Sequence, residues 1–306
     1  MPSSTSSFKA FLLAFAATVT ALSLCFVVAT EWIITTKVIP AHNFTRYLAL
    51  FQSSTASDAI FGDSIPANGV TGLPGFINLA LGGDNFAGMA AKIRLYFKDR
   101  TPDKVIIQAG LHHLSRQYIH HRDDGEGFAA LLGEHGEPLL KLLDPLYRYE
   151  IATYWRTVAE GGTFVPRERF QPDGSRLSPV NYAHYPQFLR HSAAGQVAQL
   201  TLPMPDPMHN PAITGTRSLI AMLQAKGGHP CLVTFPVTRD VHEATAALPE
   251  FQGARRAFAT LAAETGIRYV DLYDLSLPDS LFADFTHLNQ DGARLMSPQI
   301  AAACFG

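Results

Sequence analysis

The 306-residue chain has little charge and no excess of either sign: 24 Lys and Arg stand against 26 Asp and Glu, a net of −2. There is no basic stripe, which argues against nucleic acid as a partner. Cysteine is scarce, with three residues. Cys25 lies inside an apolar run. Cys231 and Cys304 make no pattern by themselves, and they either pair or stay as buried thiols. Gly-x-Gly-x-x-Gly, a phosphate-binding Gly/Lys loop and His-Glu-x-x-His are all absent, so nothing points to a dinucleotide, a nucleotide or zinc-peptidase chemistry. Gly-x-Ser-x-Gly is absent too, which argues against an ordinary α/β-hydrolase elbow. No internal repeat occurs, and no low-complexity tract follows the Ser-rich first seven residues.

Apolar residues, by contrast, are abundant. They make up 47% of the chain, enough for one large domain with a real core. After a short tail (1–9), Ala10 to Thr30 reads AFLLAFAATVTALSLCFVVAT, without a charge. About 20 helical residues at ~1.5 Å each cross a ~30 Å hydrocarbon core. Glu31 and Trp32 follow, as at an interfacial edge. The rival is a cleaved signal peptide, but Val28-Ala29-Thr30 is a poor cleavage site. The reading is therefore an uncleaved single-pass anchor over 10–30. Lys9 before the run and Lys37 and Arg46 after it do not decide topology by charge. A short N-terminus ahead of a signal-like helix favours a domain outside the cell (inner) membrane, in the periplasm or at the cell exterior. No second run of this length follows.

Residues 31–57 read as a stalk with some helical periodicity. From 58 to 306, apolar strands alternate with helical patterns. Strands are expected at 59–61, 76–81, 105–107, 231–235 and 268–272, and helices at 85–98, 212–225, 250–264 and 291–303. Short buried strands alternating with helices predict an α/β three-layer sandwich around a central parallel sheet of about five strands. Residues 111–210 break this rhythm and read as an irregular insertion, helical between 137 and 160 with a break near Pro145, and loop over 161–211.

In such sheets ligands bind where strands end. The strand ends offer Ser64, Gly82 with Gly83, Gly110 with His112, and, after a short loop, Asp284 and His287. A Ser, a His and an Asp are the parts of a nucleophile, its base and an orienting carboxylate. Phe61-Gly62-Asp63-Ser64, Asn78-Leu79-Ala80-Leu81-Gly82-Gly83-Asp84 and Asp284-Phe285-Thr286-His287-Leu288-Asn289 with Gly292 occur in that order. Together they resemble the blocks of the SGNH (GDSL-like) hydrolase superfamily, across residues 58–110 and 228–303. The resemblance implies a flavodoxin-like sheet, Ser64 as nucleophile, His287 as base, Asp284 as its orienter, and an oxyanion held by the Ser64 amide and Gly83, with Gly82 as the fallback. Where the family carries Gly-x-Asn after the third strand, this chain has Gly110-Leu111-His112, so His112 is the candidate third donor. No metal or organic cofactor is implied.

Anchor and motifs together resemble the membrane-tethered accessory proteins of alginate or cellulose O-acetylation and of teichoic-acid D-alanylation. That implies an O-acyltransferase acting on a cell-surface or exported polysaccharide beside a multi-spanning membrane acyltransferase. The alternatives are an esterase that releases acyl groups to water, and a non-catalytic glycan-binding or scaffold protein.

Other residues have plainer readings. Asp63 is expected to bond turn amides, and Asp84 and Asn85 to cap a helix. His112 and His113 stand two helical turns from His120 and His121, too far apart for one ion, and apart from His112 they read as a polar face. Tyr147, Tyr149, Tyr154 and Trp155 are expected in a core rather than as a sugar platform.

Overall fold

The computed structural model of the chain describes residues 5–39, 42–119, 140–143, 147–163 and 169–306. Its helices are, in chain order, α1 (Thr5–Ile33), α2 (Asn43–Ser53), α3 (Ser64–Gly69), α4 (Phe86–Tyr96), α5 (Arg116–Ile119), α6 (Arg148–Ala159), α7 (Gln187–Leu200), α8 (Pro211–Ala225), α9 (Arg239–Thr245), α10 (Pro249–Thr265) and α11 (Gln290–Phe305). The strands are β1 (Asp58–Phe61), β2 (Phe76–Asn78), β3 (Lys104–Gln108), β4 (Arg169–Phe170), β5 (Arg176–Leu177), β6 (His229–Thr234) and β7 (Arg268–Asp271). The chain divides into two compact units, Met1–Arg46 with His135–Pro166, and Tyr47–Glu134 with Arg167–Gly306.

The first unit is built on α1, which continues through a π-helical segment, Ile34–Val38. Neither Gly nor Pro interrupts residues 5–38, so nothing in the sequence breaks the helix there. Phe8–Val38 is long and apolar enough to cross a membrane, and none of its most apolar window is buried. Ile34, Val38 and Tyr147 form a small core with Leu142, Ile151 and Tyr154. Tyr147 and Tyr154 thus lie in a core, as expected. The break expected near Pro145 falls outside the described residues, as do His120 and His121 and the side chain of Tyr149.

The second unit holds a five-stranded, all-parallel sheet of order β2-β1-β3-β6-β7. Ile60 pairs with Asn78 on one side and Ile106 on the other, and Ile106 pairs with Cys231. Successive side chains point to opposite faces. Ile60, Ile106, Cys231 and Val233 pack with Met296, Ile300 and Cys304 of α11. On the other face Phe61 meets Tyr96 and Phe97 edge-on, with centroids 6.1 and 6.0 Å apart. Helices therefore cover both faces, and this is why the strands are apolar throughout rather than alternating. The strand order reverses between β1 and β3, so the C-terminal ends of these two strands flank the crevice where such sheets bind ligands.

Two readings change. Cys231 and Cys304 form a disulfide, Cα atoms 5.7 Å apart, that ties β6 to α11 across 73 residues. Closing a loop of that length is worth up to about 4 kcal/mol in the chain-entropy account. The segment expected as loop over 161–211 carries the antiparallel β4–β5 pair and the 14-residue α7. Asp173 shows why this polar stretch is ordered. Its carboxylate accepts from Gly72 N (2.6 Å) and Thr71 Oγ1 (3.2 Å), and its carbonyl accepts from Asn78 N (2.6 Å). The hairpin's polar groups thus satisfy backbone left open where α3 runs into β2.

Candidate active site

Ser64 opens α3 immediately after β1. Asp63 caps that helix, its Oδ1 accepting from Ile65 N at 2.7 Å. The turn is tight. Gln108 on β3 accepts from Asp63 N at 2.7 Å, and a Cβ on Gly62 would lie 2.5 Å from the same Gln108 oxygen. Only glycine allows that approach.

Asp284 and His287 arrive from a loop ahead of α11. A bridge between Phe282 and Leu288 closes the loop, and Ala283 N donates to His287 O at 2.8 Å. Asp284 Oδ1 accepts from the amides of Thr286 and His287, both at 3.0 Å, an Asx turn that fixes the carboxylate. The imidazole then spans the gap. His287 Nδ1 lies 2.8 Å from Asp284 Oδ2, and His287 Nε2 lies 2.7 Å from Ser64 Oγ. Ser64, His287 and Asp284 are all half-buried. Burial works to raise the Asp284 carboxyl, but the bond and charge of His287 and the two loop amides outweigh it and hold it below its ordinary value.

Gly82 and Gly83 form the turn after β2. A Cβ on Gly82 would sit 3.5 Å from that of Ser64, so this turn lies against the hydroxyl-bearing residue. Gly83 has φ +85°, the left-handed region that favours glycine. Arg176 of β5 reaches the same turn, with Nη1 3.8 Å from the Gly82 Cβ position. Sequence reasoning missed this residue because its segment read as loop.

His112 follows β3 and sits in the same corner, but its Nε2 lies 2.5 Å from Asp63 Oδ2. His113 Nε2 is 3.2 Å from that oxygen, poorly aligned for a hydrogen bond. The two rings meet at 4.3 Å, with Tyr118 against both. His113 is therefore not part of a surface polar face, because it is buried. Burial raises the Asp63 carboxyl, but His112 and then His113 more than reverse that and hold it well below the usual carboxylate range. Burial, then His112, push the His113 ring down against the pull of Asp63.

Asp63, His112 and His113 are the one group among the described residues with metal-ligand composition and convergence. Two ligands on one tetrahedral ion at ~2.0–2.1 Å stand roughly 3.3 Å apart. The 2.5 Å between Asp63 and His112 is instead a hydrogen bond. As placed, the group is a buried network with no room for an ion between those atoms.

Asn85 caps α4 through Gly88 N at 2.8 Å, as expected. Asp84 does not cap; it pairs with the buried Lys92. Burial pushes the Asp84 carboxyl up to about 6, against the attraction of Lys92. A cavity of about 50 Å³ opens between the ends of β3 and β6, lined in part by Ile65, Gly110, His112, Phe235 and Thr286.

No family model and no curated protein matches the chain. Among solved structures, a GDSL-like lipase from Bacteroides thetaiotaomicron is 12% identical with TM-score 0.42, covering 86% of this chain and 97% of that one. An alpha/beta hydrolase enzyme from the metagenome of Lake Arreo, Spain, is 12% identical with TM-score 0.41, covering 83% of this chain and 97% of that one. Likenesses at this level bear on no residue or activity of this chain.

Proposed function

We propose that this chain is a membrane-anchored serine enzyme of SGNH type that transfers a short acyl group, such as acetyl, to a hydroxyl of a cell-surface or exported polysaccharide. The observation that carries the reading is the unbroken array from Ser64 Oγ through His287 to Asp284, at 2.7 and 2.8 Å. Ser64 Oγ attacks the acyl carbonyl carbon while His287 Nε2 takes its proton. The tetrahedral oxyanion is held by the Ser64 amide, Gly83 and His112. Collapse breaks the donor's ester bond; His287 returns the proton to the leaving oxygen, and the acyl group stays on Ser64. A sugar hydroxyl then attacks the acyl-serine, giving its proton to His287; the acyl–Oγ bond breaks, and His287 returns the proton to Ser64 Oγ. Asp284 keeps Nδ1–H directed at itself and stabilises the imidazolium.

The His112 role has a condition. With Nε2–H donating to Asp63, a neutral ring presents a lone pair at Nδ1. Donation to the oxyanion therefore comes from a protonated Nδ1. An N-terminal helix whose most apolar window is unburied supports the anchor. The disulfide supports a domain on the oxidising side, in the periplasm or outside the cell. There a multi-spanning acyltransferase is the proposed donor partner.

The test is acylation of the exopolysaccharide in cells carrying Ser64→Ala; unchanged acylation would sink the catalytic reading. A second reading, an esterase releasing acyl groups to water, is favoured by the exposure of the site: 22% of the His287 side chain is open to solvent. Purified full chain given a soluble acyl ester, with and without glycan, separates the two by whether acylated glycan forms.

A further inference from the structure

Both tryptophans of this chain belong to the first unit. Trp32 is at the end of α1 and is 62% exposed. Trp155, on α6, stacks on Phe26 of α1 with centroids 6.1 Å apart and planes at 22°. Phe26 lies four residues before the end of the uncharged run, about 6 Å down from its edge at ~1.5 Å per residue. Trp155 therefore stands level with the upper end of the apolar span. Three contacts hold α6 and the short segment before it there. Leu142 N donates to Glu31 Oε1 at 2.6 Å, Ile151 and Tyr154 pack on the Ile34–Val38 core, and the Tyr147 hydroxyl meets Thr45 Oγ1 at 3.2 Å.

The surface of this structure is amphipathic. Leu143 and Val158 are exposed at 62% and 45%, as is Trp32. Lys37, Arg148 and Arg156 are exposed as well, with Glu160 as the exposed carboxylate among the described side chains of α6 and its end. Aromatic rings at the end of an apolar helix, interleaved with cations, match the boundary between acyl chains and phosphate headgroups. Tyr and Trp suit that boundary because each has an apolar ring and one polar handle.

We propose that α6, with residues 31–39, forms an interfacial platform whose partner is the headgroup–acyl boundary of the bilayer, with Trp32 and Trp155 seated in it. The proposal rests on the anchor reading above. It adds that a segment more than a hundred residues from the anchor in sequence also touches lipid. The platform braces the exit of the anchor and fixes its depth.

The full chain is reconstituted in phosphatidylcholine vesicles whose acyl chains carry bromine either near the headgroup or near the chain end. Trp32→Phe leaves Trp155 as the one indole, and Trp155→Phe leaves Trp32. The expected result is that both are quenched, about twofold or more, and more strongly by bromine near the headgroup. Quenching of Trp32 without Trp155 would leave the anchor standing and overturn the platform. Quenching of neither would overturn both.

Discussion

The second unit holds two His–Asp pairs within reach of one serine, and they differ in what lies on the far side of the imidazole. His287 takes Asp284 on Nδ1 and Ser64 on Nε2, with the pair half-buried and its carboxylate 39% exposed. His112 gives its Nε2 to Asp63, which is 5% exposed and also caps the helix that Ser64 begins. The chemical groups are the same. One pair is aimed through the ring at a hydroxyl, as proton transfer needs; the other is packed beneath the turn that presents that hydroxyl. Burial and the second partner separate the roles, and composition does not.

Four outcomes sharpen or break this contrast. The largest belongs to the exposed pair. His287→Ala or Ser64→Ala is expected to lower kcat for a soluble acyl ester by about 10⁶-fold, and Asp284→Asn by about 10⁴-fold, with circular dichroism and urea midpoint little changed. Should His287→Ala retain near-full turnover, the contrast fails. Next comes His112. His112→Ala is expected to lower kcat by about 10²–10³-fold with KM nearly constant, as for loss of an oxyanion donor. His112→Asn, which also offers an N–H donor, should restore much of the rate. A His112→Ala kcat equal to wild type would assign His112 to scaffolding alone.

Stability should then divide the pairs the other way. Asp63→Ala removes a cap and leaves two imidazoles without their carboxylate, an expected loss of about 2–4 kcal/mol in urea unfolding. Asp284→Ala, at a half-exposed site, is expected to lose under about 1 kcal/mol. The smallest effect is in acid. Asp63 sits well below its ordinary value in the folded chain. Its ionised form therefore contributes stability that is complete above the unfolded value of about 3.9 and disappears as pH falls through the folded one. The melting temperature of Asp63→Asn should accordingly vary less with acid than that of the wild type, measured below about pH 4.

Much of the frame was legible without coordinates, because its signals are local. Ile60-Phe61, Val105-Ile106-Ile107 and Leu232-Val233 are continuous apolar runs ended by Gly, Thr or a polar residue, which is how a strand covered on both faces must read. Ser64, Asp284 and His287 were singled out by their position at strand ends and in the loop before the closing helix. The β4–β5 hairpin and α7 were not legible. Their residues are rich in Gly, Pro and His, and what orders them is a set of bonds to distant backbone, such as Asp173 to Gly72. Arg176 was missed for the same reason.

By itself, the sequence determined the uncharged span of Ala10 to Thr30, the alternation that makes a parallel sheet, and which side chains stand at the strand ends. Each of these follows from the chemistry of neighbouring residues. Tertiary structure decided which of those ends meet. It brought Ser64 and His287 to 2.7 Å across 223 residues, joined Cys231 to Cys304, and turned His112 onto Asp63. A hydrogen bond or a disulfide depends on distance and direction in space, and short-range patterning carries neither until the chain between has packed.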